Sequence, residues 1–273
     1  MTGHAGADEV VVWGHGHGPP AVLVHGSLIG VPHATWKSVR ALADRYELRS
    51  VARQGYLGQA MGCGRRTAAI DISLVAKALR PSAHLVGFSS GGTIALAVAS
   101  SYPESVRSLT VIEPLAFSLV RGEPAVEALI RRLVPLFDRV DELSPESFWE
   151  GFVHVSGLAV PIPPTLPPEH RRAVAAMMRE PPPWEIRVSE RVLRTAFFPK
   201  MVVAGGDRPF SWVDAAIRVA SPKLARSIGA RFEVFHEAGH AVHLIGNRFN
   251  HRLESIWQEG EAGLARRAGG DWW

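Results

Sequence analysis

The stretch His84-Leu85-Val86-Gly87-Phe88-Ser89-Ser90-Gly91-Gly92 decides how this chain is read. An apolar run of strand type ends in the pattern G-x-S-x-G, and a run of helix type, Thr93 to Ser101, begins at once. Glycines at 87 and 91 let the backbone turn tightly between the two elements, which pushes the Ser89 hydroxyl outward. The following helix aims its unpaired N–H groups and the positive end of its dipole back at that serine. Ser89 is thereby a candidate nucleophile. A serine hydroxyl is a weak nucleophile at neutral pH, so two further parts are required: a base to take its proton and N–H donors for the oxyanion it creates.

Around this stretch the chain alternates between strand and helix patterns. Val10 to Trp13 and Ala21 to Val24 read as strands separated by the glycine-histidine tract 14–18 and two prolines. A helix is expected over Thr35 to Ala43, a strand over Glu47 to Val51, a helix over Ala68 to Leu79 and a strand over Val106 to Ile112. The alternation resumes with a strand at Met201 to Ala204, a helix at Val213 to Ile228, a strand at Arg231 to Phe235 and a last helix from about His243. Such a pattern predicts an α/β fold with a mostly parallel sheet flanked by helices. Residues 114–198 lack strand periodicity, and their helical stretches, such as Val126 to Phe137 and Glu169 to Arg179, are broken by proline clusters. They read as a helical cap inserted over the carboxyl ends of the strands, with 1–113 and 199–273 forming the core domain.

The base is sought after the last strand, where Phe235-His236-Glu237-Ala238-Gly239-His240-Ala241-Val242-His243 supplies His240 behind a small pair that permits close approach. The oxyanion donors are expected from Ser90, next to the nucleophile, and from the loop His25-Gly26-Ser27-Leu28 after the first buried strand, where Ser27, or failing it Leu28, faces the site. Leu28, Phe88, His243, Trp149 and Trp184 are the candidates for touching substrate. The last two belong to a set of apolar residues in the insertion, with Phe117, Phe148, Phe152 and Leu158, that points to a small to medium apolar substrate.

His25-Gly26, the elbow at 87–92 and Ala238-Gly239-His240, in that order, resemble the α/β-hydrolase superfamily over nearly the whole chain apart from the insertion. The resemblance implies an α/β-hydrolase fold with a helical cap and a triad acid between nucleophile and histidine. It implies two places for that acid: the loop after the strand ending near Ala204, where Asp207 stands, and the end of the strand after the nucleophile helix, where Glu113 stands. Asp207 is out of step with the usual glycine spacing, and Glu113 is preferred narrowly; both stay open. A further departure lies at Ala52-Arg53-Gln54-Gly55-Tyr56, where relatives often carry an Asp-x-x-Gly turn. The serine excludes the branches that use aspartate at this position. Hydrolysis of a carboxylic ester or lactone through an acyl-enzyme is the leading expectation. The alternatives are a thioesterase, a carbon–carbon hydrolase, an acyltransferase or cyclase, and a non-catalytic ligand-binding receptor.

Composition sets the outer limits. A 273-residue chain with 47% hydrophobic residues suffices for one large globular domain. The net charge of +4 is spread over scattered arginines rather than gathered in a stripe, so nucleic acid is not expected as a partner. No apolar run reaches membrane-spanning length, and residues 1–9 lack the pattern of a secretory signal, so a cytoplasmic location is expected. The lone Cys63 and the histidines of the Gly-His-Gly-His-Gly tract make poor metal ligands, and neither metal nor cofactor is required by the chemistry. Trp272 and Trp273 mark a candidate homodimer contact.

Overall fold

The computed structural model describes residues 9–16, 18–57, 66–207 and 210–268. Cys63, His17 and the terminal tryptophan pair lie outside them. Among the described residues seven strands, β1 (Val10–Trp13), β2 (Pro20–Val24), β3 (Glu47–Val51), β4 (Ala83–Phe88), β5 (Val106–Ile112), β6 (Lys200–Gly205) and β7 (Arg231–Phe235), form one sheet in the order β1-β3-β2-β4-β5-β6-β7. Only β1 runs antiparallel to its neighbour; every other pairing is parallel. The first two strands are consecutive in sequence, yet β3 lies between them. A parallel partner is reached only by a crossover connection, so chain order does not reveal neighbours here.

Among the described residues eight α-helices accompany the sheet: α1 (Ala68–Leu79), α2 (Ser90–Ser101), α3 (Pro124–Asp138), α4 (Pro145–Ser156), α5 (Pro168–Met178), α6 (Glu190–Thr195), α7 (Trp212–Ile228) and α8 (Asn247–Ala268). Side chains of successive strand residues go to opposite faces. Val22, Val24 and Leu85 pack with Val75 of α1, Leu96 of α2 and Leu224 of α7. Ala21, Leu23 and Val86 pack on the other face with Phe249, Leu253, Ile256 and Trp257 of α8, whose spacing makes a single helical stripe. Each such large, fully buried side chain contributes about 1.5–3 kcal/mol relative to exposure.

Two local expectations need correction. The helix expected over 35–43 is a pair of short 3-10 helices, Pro32–Trp36 and Val39–Leu42. Trp36, Val39 and Leu42 are all buried, and their three-residue spacing suits a 3-10 repeat better than an α-helical one. The last helix starts at Asn247 rather than His243, because Gly246 takes a positive φ of 81° and Val242–Leu244 is a 3-10 turn before it.

Between β5 and β6 the chain leaves the sheet. Helices α3, α4 and α5 each begin with proline, whose missing N–H costs nothing at a first helical position. Leu129, Leu133, Phe137, Phe148, Phe152 and Val174 form a separate apolar cluster that also takes in Ala216 and Ala220 of α7. Ile186, Leu193 of α6 and Phe198 join the sheet core instead. Among the described residues no helix is long and apolar enough to cross a membrane.

Candidate active site

The carboxyl ends of β2, β4, β5 and β6 lie side by side, the edge where open α/β sheets bind ligands. Among the described residues, the non-glycine residues with positive φ are Leu28 (63°), in the loop after β2, and Ser89 (55°) and Glu113 (52°), which directly follow β4 and β5. Such conformations cost on the order of 1–3 kcal/mol each and persist only where surrounding structure holds them.

Ser89 is held by its own N–H, which donates to Ile112 O at 2.8 Å, and by its carbonyl, which accepts from Gly92 N at 2.9 Å. The helix passes so close beneath β2 that a Cβ on Gly91 would lie 2.2 Å from His25 O. On the other side, a Cβ on Gly205 would stand 2.1 Å from Gly239 O, so only glycine at the end of β6 lets the His240 loop settle there. His240 Nε2 comes 3.2 Å from Ser89 Oγ, and its Nδ1 comes 3.1 Å from Glu113 Oε2. The other Glu113 oxygen accepts from Gly205 N at 2.7 Å, and the side chain is fully buried. An Nδ1–H that donates to the carboxylate leaves Nε2 free to accept the serine proton.

The histidine therefore meets Glu113 and not Asp207. Asp207 lies past the end of β6, is exposed, and spends its backbone N–H on Ala238 O at 3.0 Å. The strained φ at Glu113 turns its side chain off the tip of β5 and under the imidazole.

Ser27 and Ser90 face each other across the elbow, their hydroxyl oxygens 2.6 Å apart. No acceptor among the described residues takes the backbone N–H of either. Beside them lies a buried polar cluster absent from the sequence reading. Glu180, from the segment after α5, accepts hydrogen bonds from Arg53 Nη2 and the Tyr56 hydroxyl on Oε1, and from Ser27 Oγ at 2.6 Å on Oε2. Arg53 is 2% exposed along its side chain, with Asp71 at 3.9 Å. Burial alone would lower the guanidinium, but Glu180, Tyr56 and Asp71 outweigh it and hold Arg53 above its ordinary value. Burial, reinforced by the Glu180 charge, raises Tyr56, which stays a neutral donor. His25 accepts from Arg53 N at 2.9 Å through Nε2, and burial, then the Arg53 charge, pushes it well below its ordinary value. The sequence carried one signal of this cluster, an arginine in the turn where relatives often carry an aspartate; once buried, such a charge demands a carboxylate from elsewhere.

Above Ser89 opens a cavity of about 540 Å³, within the range of small-molecule sites. Leu28, Phe88, Phe117, Leu129, Phe137 and Phe152 supply apolar wall, while Ser27, Ser89, His240, Glu180, Asp207 and Asp214 supply its polar points. Of the candidates for touching substrate, Leu28 and Phe88 line this cavity. Three other candidates do not reach the cavity. His243 is fully buried behind Phe88, its ring 4.4 Å from the phenyl, and shares a 3.0 Å hydrogen bond with Thr35 Oγ1. Trp149 packs against Phe152 and His170, and Trp184 packs edge-on to Phe137, so both sit behind the residues that form the wall.

Comparison with known proteins agrees with this architecture. The sequence model of the alpha/beta hydrolase family matches residues 21–248. A pimeloyl-[acyl-carrier protein] methyl ester esterase from Aeromonas hydrophila is 34% identical over 115 residues, 40% of this chain and 42% of that protein. Among solved structures, an alpha/beta hydrolase from Sphaerobacter thermophilus superimposes with a TM-score of 0.63 at 22% identity, covering 91% of this chain and 95% of the other. A thermophilic esterase from Thermogutta terrifontis gives 0.63 at 22% identity, covering 92% and 93%. At such identities the structural likeness speaks to the fold, while the family match spans most of the chain: it belongs to the α/β-hydrolase family of enzymes.

Proposed function

We propose that this hydrolase cleaves carboxylic esters or lactones of small to medium, mainly apolar substrates through an acyl-enzyme on Ser89. One observation carries the reading: the line Ser89–His240–Glu113 opens onto a largely apolar cavity of about 540 Å³. Ser89 Oγ attacks the acyl carbon as its proton passes to His240 Nε2. The charge that develops on the carbonyl oxygen falls to the N–H groups of Ser27 and Ser90, and Glu113 steadies the imidazolium through Nδ1. His240 then returns the proton to the leaving alcohol. Water enters, loses its proton to the same nitrogen, and releases the acid from Ser89. The helical segment between β5 and β6 acts in this scheme as the cap that walls the cavity and selects the acyl group. The esterase names of the two relatives described above favour ester chemistry.

The test is labelling by a fluorophosphonate, located by mass spectrometry, together with nitrophenol release from p-nitrophenyl esters of graded chain length. Covalent mass on Ser89, with turnover that vanishes in Ser89→Ala, is the expected result. A protein that binds apolar ligands tightly but neither labels nor turns over would be a receptor on this scaffold, and the proposal would fall.

A further inference from the structure

The catalytic scheme above leaves Glu180, one of the carboxylates that line the cavity, without a task. Glu180 belongs to the helical segment between β5 and β6, yet both of its oxygens are committed to residues of the core. Oε1 is fixed by Arg53 and Tyr56. Oε2 holds the Ser27 hydroxyl at 2.6 Å, and that hydroxyl lies 2.6 Å from Ser90 Oγ. Ser27 and Ser90 are the residues assigned above as oxyanion donors. Next to Ser27 the backbone is strained, with Leu28 at φ 63°, a conformation that a leucine keeps only when neighbouring contacts hold the loop.

We propose that Glu180 is a positioning residue for the oxyanion hole: by gripping the Ser27 hydroxyl, and Ser90 through it, it aims both N–H donors and ties their alignment to the seating of the helical segment on the core. The proposal rests on the Ser89 acyl-enzyme reading. A simple clamp between segment and core would need only the Arg53–Glu180 ion pair, whereas here the second oxygen goes to Ser27. The pairing also solves a charge problem. A lone carboxylate beside the oxyanion donors would oppose the negative charge that develops there, and Arg53 cancels it. Buried at 2% exposure, Arg53 has no water to do the same for it if Glu180 is lost.

Ser27→Ala and Glu180→Gln are compared with the wild-type chain in steady-state hydrolysis of p-nitrophenyl butyrate. Inhibition by an aryl trifluoromethyl ketone, which forms a tetrahedral oxyanion on the serine, is measured alongside. A misaimed donor should lower kcat about tenfold or more in each variant. KM should stay within about twofold, and ketone affinity should fall by a factor similar to that in kcat. The double variant should be no worse than the poorer single, since both act through one grip. Glu180→Gln with a raised KM or a lowered melting temperature, but unchanged kcat and ketone affinity, would show a clamp alone and overturn the proposal. If Glu180→Gln does not fold, Ser27→Ala decides, because it leaves the ion pair intact; wild-type kcat in that variant overturns the idea. A wild-type chain that neither labels with fluorophosphonate nor releases nitrophenol sinks the Ser89 reading and this proposal with it. An active wild type with unaltered variants sinks only the role of Glu180.

Discussion

Two glutamates flank Ser89, and what stands behind each differs. Glu113 comes from the tip of β5 in the core; one of its oxygens takes a backbone N–H and the other faces His240. Glu180 comes from the helical segment and is bound to the guanidinium of Arg53. The first is placed so that its charge acts on an imidazole. The second has its charge cancelled at source and acts through geometry. The two carboxylates are thus separated by what each is seen to bond, Glu113 an imidazole and a backbone N–H and Glu180 a guanidinium, which no list of acidic residues would reveal.

The comparison breaks most decisively at the reacting groups. Ser89→Ala and His240→Ala should each reduce kcat for p-nitrophenyl butyrate by about 10⁴-fold or more, with KM little changed. Next, Glu113→Gln should lose about 10³- to 10⁴-fold, the scale seen when a triad acid is neutralised, while Asp207→Asn stays within about fivefold. Equal losses in the two acid variants would undo the contrast between the carboxylate that meets His240 and the one that does not. On the other side of the serine, Arg53→Met strips a buried charge of its partner and should destabilise the fold by about 3–5 kcal/mol in a urea titration. Arg53→Met combined with Glu180→Leu should recover most of that loss, whereas an equally unstable double variant would mean that the pair does not act as a unit.

The smallest effect tests the histidines set away from the chemistry. Burial, then the charge of nearby His240, pushes His243 down to about 3, and burial with the Arg107 charge does the same to His84. Their folded values lie below the unfolded value near 6.5, so the unfolded chain binds more protons as pH drops. The stability they confer is complete above about pH 6.5 and is lost on acidification towards 3, at about 1.4 kcal/mol per pH unit for each group. His243→Gln should flatten the fall in melting temperature between pH 6.5 and 5. An unchanged slope would place the proton uptake elsewhere.

Much of the architecture was legible because the informative residues act locally. Gly87 and Gly91 around Ser89 mark a tight turn whatever surrounds them, and alternating apolar strands of four to seven residues announce a buried sheet. The misread helix at 35–43 shows the limit: Trp36, Val39 and Leu42 carry an apolar spacing compatible with two helix types, and packing chose the tighter one. His243 failed as a substrate contact for a similar reason. Three residues beyond His240 in sequence, it sits inside the 3-10 turn Val242–Leu244 and packs against Phe88 instead of lining the cavity.

By itself, the sequence determined the strand–helix alternation, the elbow that carries Ser89 and the candidacy of His240, since each depends on neighbours within a few residues. Tertiary structure alone decided that β3 separates β1 from β2, that Glu113 rather than Asp207 meets the histidine, and that Glu180 reaches Arg53 across 127 residues. Those outcomes turn on which strand ends lie side by side and on where a buried charge finds its counterion. Both follow from contacts between distant segments that form only when the whole sheet is assembled.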